Sequence, residues 1–197
     1  MVLSLQGCMA VGKTTALRYL ETHAPELRVS YEDNAAVIEE VRRRRLDKTR
    51  YEDYINIQRL WLQNEIDRYE RVKGAPCTVM DFGAEEIEFY TLCYPESIRQ
   101  SWPVADALAD ELAAVRRCMP ARILFLDAAE DTLRQRRDGD ATRSRTFFEH
   151  HLTCLLPLKR AWFAKKPNVD WLNTDGLGAQ EVGEQVIVWA RTCMKRA

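Results

Sequence analysis

The sequence has 197 residues, of which 46% are hydrophobic and 30% charged, and its formal net charge is -1. This composition is typical of a globular protein that buries a large core. The nearly neutral charge gives no indication of a nucleic-acid partner, and the apolar runs are too short to indicate a membrane span. The six cysteines form no C-x-x-C pair and the N-terminus lacks a signal-peptide pattern, so we expect a reduced, cytoplasmic protein.

Five short apolar runs are predicted to be strands, and the segments between them have the apolar spacing of helices. The predicted strands are 2–5, 27–31, 77–82, 122–127 and 169–173. The predicted helices are 13–24, 34–46, 51–73, 103–118, 130–137, 144–165 and 178–195. Alternating strands and helices predict an α/β protein whose parallel sheet is covered on both faces, and no linker divides residues 1–197 into separate domains.

The first predicted strand leads into GCMAVGKT at residues 7–14, which has the spacing G-x-x-x-x-G-K-[ST] of a phosphate-binding loop. Its glycines permit the backbone to turn N–H groups toward an anion, the lysine adds a mobile positive charge, and the threonine hydroxyl can join the shell of a phosphate-bound Mg²⁺. A glycine-rich turn without a ligand is the structural alternative. We predict ATP and Mg²⁺ as cofactors, with these loop residues as ligands: Gly7, Cys8, Ala10, Val11, Gly12, Lys13, Thr14 and Thr15.

Carboxylates follow the second and third predicted strands, at the edge where parallel sheets bind ligands. Glu32 or Asp33 could deprotonate an attacking hydroxyl, although Asp33 or Asn34 could instead cap the following helix. Asp81 could hold Mg²⁺ through its carboxylate, or it could be the base that contacts the acceptor. The structural alternative is that Asp81 caps the end of the strand. The DFG sequence that begins there does not indicate a protein kinase, because the chain has no G-x-G-x-x-G and no H-R-D loop.

An arginine-rich segment follows the fourth predicted strand and surrounds a DGD turn. Its members are Arg134, Arg136, Arg137, Arg143 and Arg145. Because guanidinium groups bind phosphate in a bidentate manner, residues 137–146 are predicted to form a lid over the triphosphate. Arg137 and Arg143 are predicted to be catalytic, and Arg137 and Arg145 to bind the nucleotide, while a solvated helix end explains one or two of the five.

Three further segments carry weaker signals. NTDGLG after the fifth predicted strand makes Thr174, Asp175 and Gly176 candidates for the nucleotide base, or a plain loop. Glu39 and Glu40 stand four residues before Arg43 and Arg44 of VRRRRLDK, which favours an ion-paired helix face over a nucleic-acid patch. The long helix 51–73 has one apolar side, could pair with a second copy, and carries Gln58 and Gln63, whose amides could read a nucleobase edge.

Together these residues resemble the P-loop small-molecule kinases, and most closely the deoxynucleoside kinases, over nearly the whole chain. The likeness rests on the P-loop, YED after the second strand, IQRLW, MDF, the arginine-rich lid, TFFEHHLTCLLPLKRAWF and TDG. It implies a three-layer α/β/α fold with a five-stranded parallel sheet in order 2-3-1-4-5, Glu32 as the acceptor base and Gln58 as the base-reading amide. Deoxynucleoside kinases usually carry an acidic residue and an arginine at the third strand, whereas here Asp81 precedes Phe82 and Gly83. Thymidylate-type kinases also usually have an arginine there, so the resemblance disfavours a monophosphate acceptor and fits an uncharged hydroxyl better.

We therefore expect an ATP-dependent transfer of the γ-phosphoryl group to a hydroxyl of a small molecule. A nucleoside-like acceptor is the leading hypothesis. A kinase for an antibiotic, a sugar or a ring alcohol, and a nucleotide-binding regulatory module without transfer activity, are the alternatives. A GTPase would need an N-K-x-D base reader, which the sequence lacks. A nucleic-acid end kinase would need a more basic surface.

Overall fold

The computed structural model of this chain describes residues 1–139 and 146–196, and of Thr146 only the backbone. The chain divides into two compact units. The first unit comprises Met1–Tyr31, Ala75–Asp81 and Ala121–Ala197, and the second comprises Glu32–Gly74 and Phe82–Pro120. The second unit is thus contributed by two separate stretches of chain, and the single domain over residues 1–197 stays a prediction.

The first unit is built on a sheet of five parallel strands in the order β2-β3-β1-β4-β5. The strands are β1 (Val2–Gly7), β2 (Arg28–Ser30), β3 (Thr78–Asp81), β4 (Arg122–Asp127) and β5 (Val169–Asn173). The central strand β1 is buried along its whole length, as expected of a parallel strand covered on both faces. The predicted α/β class, the parallel sheet and its strand order are confirmed.

Ten α-helices accompany the sheet within the described residues. In chain order they are α1 (Lys13–His23), α2 (Ala35–Arg44), α3 (Tyr51–Val72), α4 (Ala84–Ser97), α5 (Val104–Ala107), α6 (Ala109–Arg116), α7 (Glu130–Asp138), α8 (Thr146–His150), α9 (Leu156–Phe163) and α10 (Ala179–Arg196). A π-helical segment, His151–Leu155, joins α8 and α9. Across residues 1–139 and 146–196, no helix is both long and apolar enough to cross a membrane.

Helix α4 is absent from the predicted helices, and the reason lies in its burial. Ten of its fourteen residues are buried, and a proline stands within it, so the one-sided apolar spacing that reveals a surface helix is absent. Two predicted helices are also wrong as single elements. Segment 103–118 is divided into α5 and α6 at the fully buried Leu108, and segment 144–165 contains the π-helical segment within its described part.

Helices α1 and α10 pack together on the first unit. A Cβ atom on Gly183 of α10 would lie only 2.4 Å from Cδ1 of Tyr19 on α1, so glycine permits an approach that any other residue would prevent. This contact holds α1 from the side, and α1 is the helix that begins at the phosphate-binding loop.

The second unit contains α2 to α6, and α3 packs against α2, α4 and α6. Tyr54 on α3 is buried, and its hydroxyl donates to the backbone oxygens of Tyr90 and Thr91 on α4, at 2.9 and 3.0 Å. On α2 the carboxylate of Glu40 pairs with Arg43 and Arg44 at 2.6 and 2.5 Å. The prediction of an ion-paired helix face in the arginine run is therefore confirmed, and these ion pairs keep the pKa of Glu40 low.

Candidate nucleotide-binding site

The phosphate-binding loop joins β1 to α1 through several backbone conformations that side chains disfavour. Gly7 and Gly12 have φ of +134° and +106°, and Ala10 has φ of +63°. A Cβ atom on Gly7 would lie 2.2 Å from the carbonyl oxygen of Leu126 on β4, so this position excludes a side chain on steric grounds as well. The loop is held in a turn that L residues adopt rarely.

Lys13 and Thr14 open helix α1 and face different partners. The Lys13 ammonium donates to the carbonyl oxygens of Gly7 and Cys8, at 3.3 and 3.1 Å. The Thr14 hydroxyl donates to Oδ2 of Asp81, at the end of β3, at 2.8 Å. No side chain caps the N-terminus of α1, so its first N–H groups and the positive end of its dipole are available to an anion.

The paired oxygens of Thr14 and Asp81 suit a magnesium ion. Mg²⁺ prefers oxygen ligands and usually combines one or two protein oxygens with water and substrate phosphates. Among residues 1–139 and 146–196, no three side chains of the His, Cys, Asp and Glu types gather as a metal site. A cation at Thr14 and Asp81 would therefore take its remaining ligands from phosphate and water.

A cavity of about 350 Å³ opens beside the loop. It is lined by Ala10, Val11, Gly12, Lys13, Thr14, Thr15, Arg136, Gly139, Leu177, Gly178, Ala179 and Val182. Six of the eight loop residues predicted to bind the nucleotide thus line one cavity. Gly7 and Cys8 are not among the lining residues, and their roles as ligands stay predictions.

Arg136 lies in the cavity wall, although it is not among the arginines predicted to bind the nucleotide. Its guanidinium donates to the oxygens of Val11, Thr174 and Leu177, including Oγ1 of Thr174 at 2.9 Å and the Thr174 carbonyl at 2.7 Å. These bonds occupy the edge of the guanidinium and fix its plane in the cavity wall. Guanidinium groups bind aromatic rings by stacking through their flat face.

The predicted lid arginines are placed differently. Arg137 pairs with Asp138 and Glu149 at 2.7 and 2.6 Å and lies over the ring of Phe148, and it does not line the cavity beside the loop. Arg143 and Arg145 fall outside the described residues. The catalytic and nucleotide-binding roles of these three arginines stay predictions.

The loop after β5 supports the cavity rather than forming its wall. Thr174 is fully buried and holds Arg136. Both carboxylate oxygens of Asp175 accept from the backbone N–H of Ala129, the residue before α7, and the pKa of Asp175 is lowered mainly by a hydrogen bond from Thr132. Gly176 turns the chain with φ of +73°. The wall itself begins one residue later, and contact of these three residues with a base stays a prediction.

Of the acceptor-side candidates, Asp81 ends β3 in the first unit, and Glu32, Asp33 and Gln58 belong to the second unit. Glu32 and Asp33 are exposed, and the Asp33 carbonyl accepts from Nδ2 of Asn64 at 2.9 Å. Asn34 is the N-cap residue of α2, but its side chain makes no capping bond. Gln58 is buried, and its Oε1 accepts from the Thr91 hydroxyl at 2.8 Å, which fixes the orientation of the amide.

Four glutamates on α3 and α4 are buried, and the sequence analysis did not identify them; we refer to them as the buried glutamates. They are Glu65, Glu85, Glu86 and Glu88. Arg68, also buried, pairs with Oε2 of Glu65 at 3.0 Å and donates to the carbonyl of Phe82 at 3.0 Å. Burial raises the pKa of Glu65 to about 7 against the opposing pull of Arg68. The interior of this unit is therefore richer in carboxyl groups than in cations.

Sequence analysis also missed His151 and Lys159, which contact the first two residues of the phosphate-binding loop; together with Cys8 of the loop we call them the loop floor. The Cys8 sulfur lies 3.2 Å from Nδ1 of His151, and the Lys159 ammonium donates to the Gly7 carbonyl at 3.0 Å. Burial raises the pKa of Cys8 to about 11 and lowers that of His151 to about 2, with Lys159 and Lys13 lowering the latter further. Both groups are therefore uncharged near neutral pH, which agrees with Cys8 as a small filler of the loop.

The sequence does carry a signal for the loop floor. Leu155, Lys159 and Phe163 are spaced four residues apart, so a helix places all three on one face. All three are fully buried. A lysine in the apolar stripe of a helix is rare unless it has a partner, and this pattern could have identified Lys159.

Comparison with known proteins gives a family and a fold. The family model described as "AAA domain" matches residues 3–157. A thymidylate kinase from Candida albicans has a similar structure, with a TM-score of 0.68 and 14% identity over 98% of this chain and 91% of that chain. A deoxyadenosine kinase from M. mycoides, solved with dCMP and dCDP, gives a TM-score of 0.70 and 12% identity over 98% of this chain and 100% of that chain. No curated protein matches the sequence significantly. The fold is therefore that of the P-loop kinases.

Proposed function

This chain belongs to the AAA domain family, and we propose that it is an ATP-dependent phosphotransferase that moves the γ-phosphoryl group to a hydroxyl of a nucleoside-like small molecule. The observation that carries the proposal is the cavity beside the phosphate-binding loop, where Lys13, the open end of α1 and Arg136 meet. A cation, free N–H groups and a flat guanidinium are the groups that bind a nucleoside triphosphate.

On the donor side, the loop amides and Lys13 hold the phosphates in line for transfer. The face of Arg136 stacks on the nucleotide base, and Leu177 and Val182 supply apolar contacts from the same cavity wall. Thr14 and Asp81 hold Mg²⁺, which when bound neutralises charge on the phosphate oxygens. Arg137, Arg143 and Arg145 remain candidates to meet the charge that develops on the transferred group.

On the acceptor side, we assign Glu32 as the base, with Asp33 and Asp81 as alternatives, and Gln58 as the amide that reads the acceptor. The fixed orientation of the Gln58 amide supports this role, because its Oε1 is held by Thr91. At the end of β3, Asp81 is followed by Phe82 and not by an arginine, so this position offers no guanidinium to a phosphate on the acceptor. An acceptor with an uncharged hydroxyl is therefore preferred over a monophosphate.

The test is ADP release at millimolar magnesium with a panel of acceptors: deoxynucleosides, nucleoside monophosphates, a sugar, an aminoglycoside and shikimate. We expect a deoxynucleoside to accelerate ADP formation above the basal rate, and Lys13→Ala to lower that rate by about 10²- to 10³-fold without unfolding the chain. Lys165→Ala, at an exposed lysine, is the matched control and should match the wild type. ATP binding with no acceleration by any acceptor would favour the regulatory module instead.

A further inference from the structure

Lys159 is a charged side chain that is fully buried, and removing its ammonium group from water costs free energy. It lies on α9 with no exposed surface, and moving an ammonium group out of water costs several kcal/mol unless partners compensate it. A leucine or methionine would fill the same position on the apolar stripe of α9 at no such cost. A fully buried lysine at this position therefore calls for a role that an apolar residue lacks.

The position of its ammonium group indicates that role. Lys159 donates to the Gly7 carbonyl oxygen at 3.0 Å, and the Lys13 ammonium donates to the same oxygen at 3.3 Å. A carbonyl oxygen has two lone pairs and can accept both bonds. Two like charges on one oxygen repel each other, and an anion nearby relieves that repulsion.

The rest of the loop floor adds no negative charge. His151 is neutral because burial and the two lysines lower its pKa, and the Cys8 thiol stays protonated because burial raises its pKa. The imidazole and the thiol are thus uncharged, and the electrostatic field of Lys13 and the loop floor is that of the two lysines. Such a field favours the arrival of a polyphosphate.

When a triphosphate binds, Lys13 has to leave the backbone oxygens of Gly7 and Cys8 to reach the phosphates. The Gly7 oxygen would then lose one donor, at a residue that has φ of +134° and pairs with Leu126 of β4 in the sheet register. Lys159 reaches the same oxygen from α9, so that oxygen keeps a donor after Lys13 has moved.

We propose that Lys159 is a positioning residue of the phosphate-binding loop: it holds the Gly7 carbonyl from α9 and thereby frees Lys13 to bind the triphosphate. This inference rests on the proposed function, because it presumes that the loop binds a polyphosphate. It assigns to α9 a direct part in nucleotide binding.

The test is calorimetric titration of the full chain with inorganic tripolyphosphate and with MgATP. Lys159→Met removes the charge and keeps the bulk of the side chain, and Lys165→Met is the matched control on an exposed lysine. We expect Lys159→Met to weaken binding of both probes about tenfold to a hundredfold while the control binds as the wild type does. Should Lys159→Met fail to fold, Lys159→Gln, which loses the charge and keeps a donor, replaces it in the same titration.

A double-mutant cycle separates positioning from general support. In the Lys13→Ala background we expect Lys159→Met to weaken tripolyphosphate binding by less than about threefold further, because the two lysines act on one oxygen. A full, independent loss in that background would overturn the positioning role, and so would wild-type affinity in Lys159→Met. Absence of binding by the wild-type chain would instead refute the proposed function.

Discussion

The loop floor and the interior of the second unit bury ionisable side chains of different kinds. The loop floor contains a lysine, a neutral histidine and a protonated cysteine, whereas α3 and α4 of the second unit bury four glutamates and one arginine. The same physical cause, removal from water, lowers the pKa of His151 and raises that of Glu65. Burial therefore keeps His151 uncharged at neutral pH and keeps Glu65 largely protonated at mildly acidic pH, and their titrations affect stability with opposite signs.

This difference matches the division of labour that we propose. A unit that binds a polyanion gains from fixed positive charge, and a unit that binds an uncharged hydroxyl does not need it. Replacing Lys159 or Arg68, each a buried cation of its unit, tests this difference between the units. The pH dependence of the free energy of unfolding tests it further.

The largest effect is expected from Arg68→Met. Arg68 is the partner of the buried Glu65, and its loss leaves a carboxylate with the cost of burial and without its ion pair. We expect the free energy of unfolding to fall by about 3–5 kcal/mol in urea denaturation at pH 7. Lys159→Met should stay within about 1 kcal/mol of the wild type without nucleotide. Equal losses in the two variants would contradict the contrast between the units.

The second prediction concerns Glu65→Gln and rising pH. The pKa of Glu65 is about 7 in the folded chain, above the ordinary 4.5, so the folded state binds more protons between these values. The free energy of unfolding should therefore fall by about 2 kcal/mol from pH 5 to pH 7 through this group, and the variant should lack that loss. Urea denaturation at several pH values measures it, and parallel curves for both proteins would refute the assignment.

The third prediction concerns His151→Asn and has the opposite sign. The pKa of His151 is about 2 in the folded chain, below the ordinary 6.5, so the unfolded state binds more protons between these values. Through this group the free energy of unfolding falls by about 2 kcal/mol from pH 7 to pH 5. The groups that set this pKa are Lys159, Lys13 and His150, besides burial itself.

In the wild type the two titrations oppose each other, so this pair contributes little net slope between pH 5 and pH 7. His151→Asn should then show stability that falls with rising pH, and Glu65→Gln stability that falls with falling pH. If the two variants bend the pH profile in the same direction, the opposite signs assigned to the two units are wrong.

The sheet and the loop could be predicted from sequence because each leaves a local pattern. Apolar runs mark the strands, and the spacing of GCMAVGKT marks the loop and the start of α1. Helix α4 leaves no such pattern, because it is buried on nearly every side. The interruption of segment 103–118 at Leu108 and the π-helical segment depend on packing that the periodicity does not record.

Part of the candidate site could not be predicted because its contacts are long-range. Arg136 and Arg137 are neighbours of the same type, and only the fold shows that Arg136 reaches Thr174 while Arg137 pairs with Glu149. The buried glutamates look in sequence like an ordinary polar helix face. Lys159 is the exception, since the four-residue spacing that places it on an apolar stripe can be read in the sequence itself.

Every strand of the sheet belongs to the first unit, whereas the second unit is formed by residues 32–74 and 82–120. A combinatorial library confined to those two stretches would therefore leave every strand pairing and the whole phosphate-binding loop untouched. If the proposed function holds, mutational drift has the same freedom to change the acceptor while the sheet and the phosphate-binding loop stay intact.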